Sequence, residues 1–310
     1  VVDPAEPFPR TPVHVTVVGD LGMDVRVIPT SAVVRAQDTP ARITSTPGGA
    51  GANTAAGLAR LGVPVSLIAR IGDDIPGATA AAEIGRAGVD CRLTIDSTLP
   101  TCCVVVIVHP DGERTMLSDR GAGSRLAPED IALPDVPGRG HLHLSGYVLF
   151  DGGSRPAGLA AMDRARRRGW TVSVDPQSAT HIAAVGPALF REWVSGADLV
   201  LPNVAELSAL GGPDPLLDVV TAIAVTDGPK GAIWHGRDGS VAVPSQQVHR
   251  VDSTGAGDAF NAGFLSAWLF GSEPAQALAS GIEAGSVTAG RHGARSDDPG
   301  PSDVPGTVGT

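Results

Sequence analysis

Apolar and polar positions along the chain switch repeatedly between two periods. Short runs rich in β-branched residues at 13–18, 65–69, 141–145, 171–175, 198–201 and 223–226 read as core strands. Between them, 51–61, 77–88, 155–168 and 204–210 carry helical spacing. Strand and helix in alternation predict βαβ units. The expected fold is therefore α/β, with a mostly parallel central sheet and helices on both faces. Ligands of such sheets bind outside the carboxyl ends of the strands. Two stretches, 25–43 and 102–117, are strand-like without an intervening helix, and they predict a small separate sheet such as a lid. The segment 296–310, rich in Pro, Gly, Ser and Asp, is expected to be a disordered C-terminal tail, and 1–12 an N-terminal tail. The domain itself is expected over 13–295.

Composition narrows the function. The 310 residues suffice for one large α/β domain or two modest ones. With 42% hydrophobic and 18% charged residues, the chain reads as globular. A net charge of −10 argues against nucleic acid or an anionic membrane as partner. No apolar run approaches the ~20 residues of a membrane span, and 1–12 lacks the apolar core of a secretory signal. Three cysteines, Cys91, Cys102 and Cys103, without metal-ligand spacing, read as free thiols in a reducing cytoplasm. His141 and His143 alternate on a strand with no third ligand nearby, so a structural role is expected of them.

The chemistry concentrates in two Gly-rich entries into helices. In Asp252-Ser253-Thr254-Gly255-Ala256-Gly257-Asp258, a β-like stretch gives way to a helix whose Phe260, Phe264, Leu265 and Trp268 recur at helical spacing. Backbone N–H groups at a helix N-terminus have no intrahelical partner, and Gly255, Ala256 and Gly257 let an anion approach them closely. Asp258, just beyond, could accept a proton from a hydroxyl attacking beside such an anion hole, or could simply cap the helix. The second entry is Pro47-Gly48-Gly49-Ala50-Gly51-Ala52-Asn53. It lacks the Gly-Lys-Ser/Thr of a Walker loop. Its glycines serve close packing or backbone contact to a small polar substrate, with Asn53 as side-chain donor and acceptor.

Together these segments resemble the two signatures of the ribokinase-like (PfkB) carbohydrate kinases, and the resemblance runs over most of the chain. It implies a Rossmann-like domain with a β-sheet lid that doubles as a dimer clasp. In Gly19-Asp20-Leu21-Gly22-Met23-Asp24, Asp24 matches the family's sugar-hydroxyl ligand. Asn203-Val204-Ala205-Glu206 resembles its Asn-x-x-Glu motif, in which Asn203 and Glu206 would organise Mg²⁺ and phosphate through waters. Thr226-Asp227-Gly228-Pro229-Lys230-Gly231 resembles its nucleotide loop, with Thr226, Gly228, Lys230 and Gly231 at ATP. Lys230 would reach a phosphate or stay solvated. Asp252 and Thr254 match positions whose backbone oxygens bind a monovalent cation such as K⁺. The resemblance thus implies phosphoryl transfer from ATP to a sugar hydroxyl, Asp258 acting as general base and the amides of 255–257 holding the transferring group.

The acceptor is less sharply drawn. Neither lid stretch contains Phe, Tyr or Trp, which disfavours a nucleobase clamp, although Tyr147 and Phe150 follow a core strand. A sugar acid or sugar phosphate would need a cationic clamp, for which Arg120 is the candidate and Arg114 reads as a hairpin rim. A neutral sugar needs only Asp24, Gly48, Gly49 and Asn53. The expected activity is ribokinase- or fructokinase-like. A sugar-acid kinase, a nucleoside kinase and a non-catalytic sugar or nucleotide sensor are the alternatives.

Overall fold

The computed structural model describes residues 13–109, 114–245 and 254–290. Strands β1 (Val13–Val18), β2 (Gly22–Pro29) and β3 (Ala41–Gly48) lead into helix α1 (Ala50–Arg60). Next come β4 (Val65–Gly72), α2 (Ile75–Arg86), β5 (Asp90–Asp96), β6 (Cys102–Val108) and β7 (Arg114–Asp119). After two short 3₁₀ turns follow β8 (Arg139–Ser145), α3 (Tyr147–Phe150), α4 (Arg155–Arg167), β9 (Thr171–Asp175), α5 (Ala179–Val185) and α6 (Pro187–Val194). The remainder is β10 (Leu199–Val200), α7 (Val204–Ala209), α8 (Pro213–Leu217), β11 (Ala222–Thr226), β12 (Ala232–Gly236), β13 (Gly239–Val243), α9 (Ala256–Trp268) and α10 (Pro274–Ala289). The two tails and Asp252 lie outside the described residues.

A nine-stranded sheet in the order β13-β12-β11-β10-β9-β8-β1-β4-β5 forms the body. It is parallel from β5 to β11, and β12 and β13 run antiparallel at one edge. A sheet covered on both faces needs strands that are apolar on both sides, and β1, with Val15, Val17 and Val18 inaccessible to solvent, meets that need. One core joins Val15, Val17 and Leu67 to Ala55 of α1, Ile84 of α2 and Phe264 of α9. The other joins Val18, Leu144 and Val174 to Ala161 of α4 and Phe190 of α6. The chain leaves β1 toward β4 and β5 and later returns to its other side at β8. The carboxyl ends of β1 and β8 thus flank the point where strand order reverses.

A separate four-stranded sheet, β3-β2-β6-β7, is the expected lid. It is wider than the apolar runs indicate: β2 begins at Gly22 and β3 continues to Gly48, while 30–40 is not strand. The discrepancy arises because the paired lid strands carry Asp24, Thr44, Ser45 and Thr46, whose polarity hides them from a hydrophobicity reading.

His141 and His143 are buried and bonded within the sheet. The His141 ring contacts Thr171 Oγ1 and Ser173 Oγ at 2.8 Å each, and His143 Nδ1 contacts Ser173 Oγ at 2.8 Å. Burial lowers the His143 pKa from 6.5 to about 4. The fold therefore favours the neutral ring. Its contribution to stability is intact above pH 6.5 and is lost as pH falls toward about 4. The gap in urea midpoint between wild type and His143→Gln is expected to shrink over that interval. A gap independent of pH would refute the assignment. The comparison isolates this histidine from Asp175 and Glu206, whose raised pKa values act with the opposite sign.

Candidate active site

Helix α1 begins beneath the connection from β1 to β2. A Cβ at Gly48 would overlap the Asp24 carboxylate, and one at Gly49 would lie 2.6 Å from the Asp20 carbonyl oxygen. Gly49 also has φ +100, which L side chains rarely adopt. Close approach therefore explains the glycine pair. Gly49 offers α1 no side-chain cap, and Asp20 supplies one from across the chain. The amides of Ala50 (3.0 Å) and Gly51 (3.4 Å) donate to its carboxylate, which also accepts from Ser145 Oγ at 3.3 Å. A negative charge at this helix end is favourable.

Helix α9 starts at Gly255, which is left-handed with φ +73. One turn on, Asp258 is buried and accepts a hydrogen bond from Asn53 Nδ2 at 2.9 Å. The two Gly-rich segments, 205 positions apart in sequence, thus meet through their polar side chains. The other end of the Asn53 amide, Oδ1, is buried with no hydrogen-bond partner among the described residues. Buried acceptors are rarely left so, and this oxygen has the capacity to accept from a ligand donor.

Beside Asp258 lies a cavity of about 210 Å³ at the ends of β9, β10 and β11, lined among others by Asp175, Asn203, Glu206, Thr226, Gly255 and Gly257. Asn203 and Glu206 form a reciprocal cap at the start of α7. Glu206 N donates to Asn203 Oδ1 (2.9 Å), and Asn203 N and Nδ2 donate to the Glu206 carboxylate at 2.9 and 2.7 Å. Burial raises the Glu206 pKa despite these bonds. Asp175 is pushed well above the usual carboxylate range, first by burial and then by the charges of Glu206 and Asp258. It accepts from Asn261 Nδ2 (2.6 Å), Gln177 Nε2 (2.9 Å) and Gln177 N (2.9 Å). Among the described residues no Lys or Arg lines this cavity. Buried carboxylates and amide oxygens without a lining cation suit a hard divalent ion such as Mg²⁺. Among the described residues no group of three or more His, Cys, Asp or Glu side chains is placed to hold a metal ion directly.

The remaining expected residues are arranged less uniformly. Thr226 is bridged to Asn203 in parallel and so reaches the cavity. Gly228 and Lys230 bound a 3₁₀ turn beyond it that Gly231 closes, and there Lys230 is exposed and ion-paired with Asp227 at 3.2 Å. Thr254 immediately precedes the Gly255 turn. Arg120 is engaged by Asp151 at 3.2 Å and lies 3.9 Å from Asp20. Asp20, Asp175, Gln177 and Asn261 were not singled out by sequence reasoning. An acidic residue closing a core strand, as Asp175 closes β9, is a signal that could have pointed there.

A family model described as pfkB family carbohydrate kinase matches residues 13–300. The chain belongs to the pfkB family of carbohydrate kinases. An ATP-dependent ribose-1-phosphate kinase from Halopiger xanaduensis is 35% identical over 257 residues, covering 80% of this kinase and 82% of that protein. Fructokinase-1 of Zea mays is 31% identical over 261 residues, covering 77% and 78%. Among solved structures, the adenosine kinase of Sinorhizobium meliloti superposes with a TM-score of 0.81 at 23% identity, covering 94% of this kinase and 97% of that chain. An E. coli protein assigned as a ribokinase II, solved with ATP and Mg²⁺, superposes with a TM-score of 0.79 at 23% identity, covering 90% and 94%. These superpositions establish the ribokinase-like fold. The protein is thus a ribokinase- or fructokinase-like sugar kinase, of a family that uses ATP. Among the described residues of this kinase, no helix is long and apolar enough to cross a membrane.

Proposed function

We propose that this kinase transfers the γ-phosphoryl group of ATP to a hydroxyl of a neutral sugar, with Asp258 as general base. The observation that carries the reading is the Asn53–Asp258 hydrogen bond at the N-terminus of α9, with Asn53 Oδ1 left open beside it. A sugar hydroxyl donating to that oxygen would stand next to the Asp258 carboxylate. As the hydroxyl oxygen bonds to the γ-phosphorus, its proton passes to Asp258. The bond to the β–γ bridging oxygen breaks, and ADP leaves with that electron pair. The backbone at 255–257, at the positive end of α9, faces the charge that develops on the phosphoryl group. Bound Mg²⁺ would neutralise phosphate charge, held through waters by Asn203 and Glu206.

The neutral acceptor is favoured because the cation nearest the sugar side is already engaged by carboxylates. A nucleobase is disfavoured because the Phe150 ring is stacked against Phe190 and packed against His181. A sugar phosphate is the second reading, since a relative at 35% identity is named a ribose-1-phosphate kinase. The same reading pairs two copies through the lid, whose strands expose Ile43, Met116 and Leu117. An ADP-release screen with ribose, fructose, 2-keto-3-deoxygluconate, ribose 1-phosphate and adenosine, with and without K⁺, tests it. Turnover of ribose or fructose is expected. Turnover confined to ribose 1-phosphate would replace the neutral acceptor, and tight sugar binding without any ADP release would leave a sensor.

A further inference from the structure

Tyr147 is the one tyrosine of the chain. It opens α3 directly after β8, where Gly146 N donates to the Asp175 carbonyl at 2.7 Å and ties this corner to the acidic end of β9. A Cβ at Gly146 would lie 2.6 Å from that same oxygen, so the approach of the two segments is close. The ring is half-buried and edged by Phe150 and His181, with centroids at 6.4 and 6.0 Å. Over the ring sits the Arg120 guanidinium, its Cζ 4.8 Å from the centroid. Among the described residues, no protein group is hydrogen-bonded to the phenol hydroxyl.

We infer that Tyr147 contacts the acceptor, its hydroxyl donating a hydrogen bond to the sugar, and that Arg120 is a positioning residue that holds the ring. This rests on the sugar-kinase reading given above. Three features support it. The phenol's pKa is pushed up to about 12 by burial and then by the charge of Asp20, with Arg120 opposing and Asp175 and Asp258 adding to the rise. The oxygen therefore lies within the field of the base and stays a protonated donor. Arg120 is bonded to Asp151 and neighbours Asp20, which leaves its charge spent within the protein and its flat face on the aromatic ring. Phe150, beside it, is packed against Phe190 and His181 and has no polar atom, and the His181 ring is tied through Nδ1 to Ser178 Oγ at 2.8 Å, so Tyr147 brings this corner a hydroxyl with no protein partner among the described residues.

A single tyrosine gives one fluorine resonance when the protein is made with 3-fluorotyrosine. That resonance is expected to shift on saturation with ribose or fructose, whichever the enzyme phosphorylates. Tyr147→Phe, which keeps the ring under Arg120, should raise the acceptor KM about tenfold while kcat and the ATP KM stay within about twofold. Arg120→Ala should raise the KM of the neutral sugar similarly, and Arg120→Lys, which keeps a cation over the ring, should recover most of the loss. The inference is overturned by an unmoved resonance with a sugar that is turned over, or by an unchanged acceptor KM in Tyr147→Phe. A loss in Arg120→Ala confined to ribose 1-phosphate would instead make Arg120 an anion clamp and overturn its positioning role. Failure of the wild type to phosphorylate any sugar would overturn the kinase reading together with this one.

Discussion

Asp258→Asn is expected to lower kcat by about 10²- to 10⁴-fold, the range typical for removing a general base, while ATP and sugar still bind. The amide is nearly isosteric with the carboxylate and can still accept from Asn53 Nδ2 through its oxygen, so the link between α1 and α9 survives. What it lacks is the capacity to take a proton. Calorimetric titration of the variant with sugar and with Mg-ATP separates the two effects. Turnover within tenfold of wild type would falsify the role of Asp258. Loss of both binding events would instead mean that the carboxylate only holds α9 in place.

Asp24→Ala should raise the acceptor KM by about two orders of magnitude and leave the ATP KM nearly unchanged. Two hydroxyl bonds to a charged carboxylate, at about 1.5 kcal/mol each, give a change of that size. Asp24 lies on β2 with its carboxylate against the Gly48 backbone. The side chain therefore belongs to the lid root and stands apart from the cavity beside Asp258. The expected signature is selectivity: sugar affinity falls, while nucleotide affinity and thermal midpoint do not. An unchanged sugar KM removes Asp24 from the acceptor site. A parallel loss of ATP affinity would mean that the substitution had disturbed the start of α1.

The parallel core and the two Gly-rich helix entries were legible in the sequence because local signals encode them. The β-branched runs at β1 and β9 are found with the bounds read from the sequence, and Gly49 and Gly255 mark turns that need positive φ. Other parts depend on contacts between distant segments. Asp20 reads as a loop carboxylate until α1 is folded beneath it. Asn261 reads as an ordinary polar position in α9 until it meets Asp175 across 86 residues. Helix α10 left little trace, because its Ala, Gly and Ser give a weak apolar stripe, and its packing against α9 relies on small size at Gly281 and Gly263. The lid strands were foreshortened for the opposite reason, since one side of that sheet carries polar groups.

The reciprocal cap of Asn203 and Glu206 couples the integrity of a helix to the shape of the cavity. Each residue fastens the other's backbone or side chain at the head of α7, and both face the buried acidic cavity. A substitution at either position that removes the cap would loosen the head of α7 and alter the wall of the cavity in a single step. Folding alone therefore places a demand on this pair, whether or not the cavity is used.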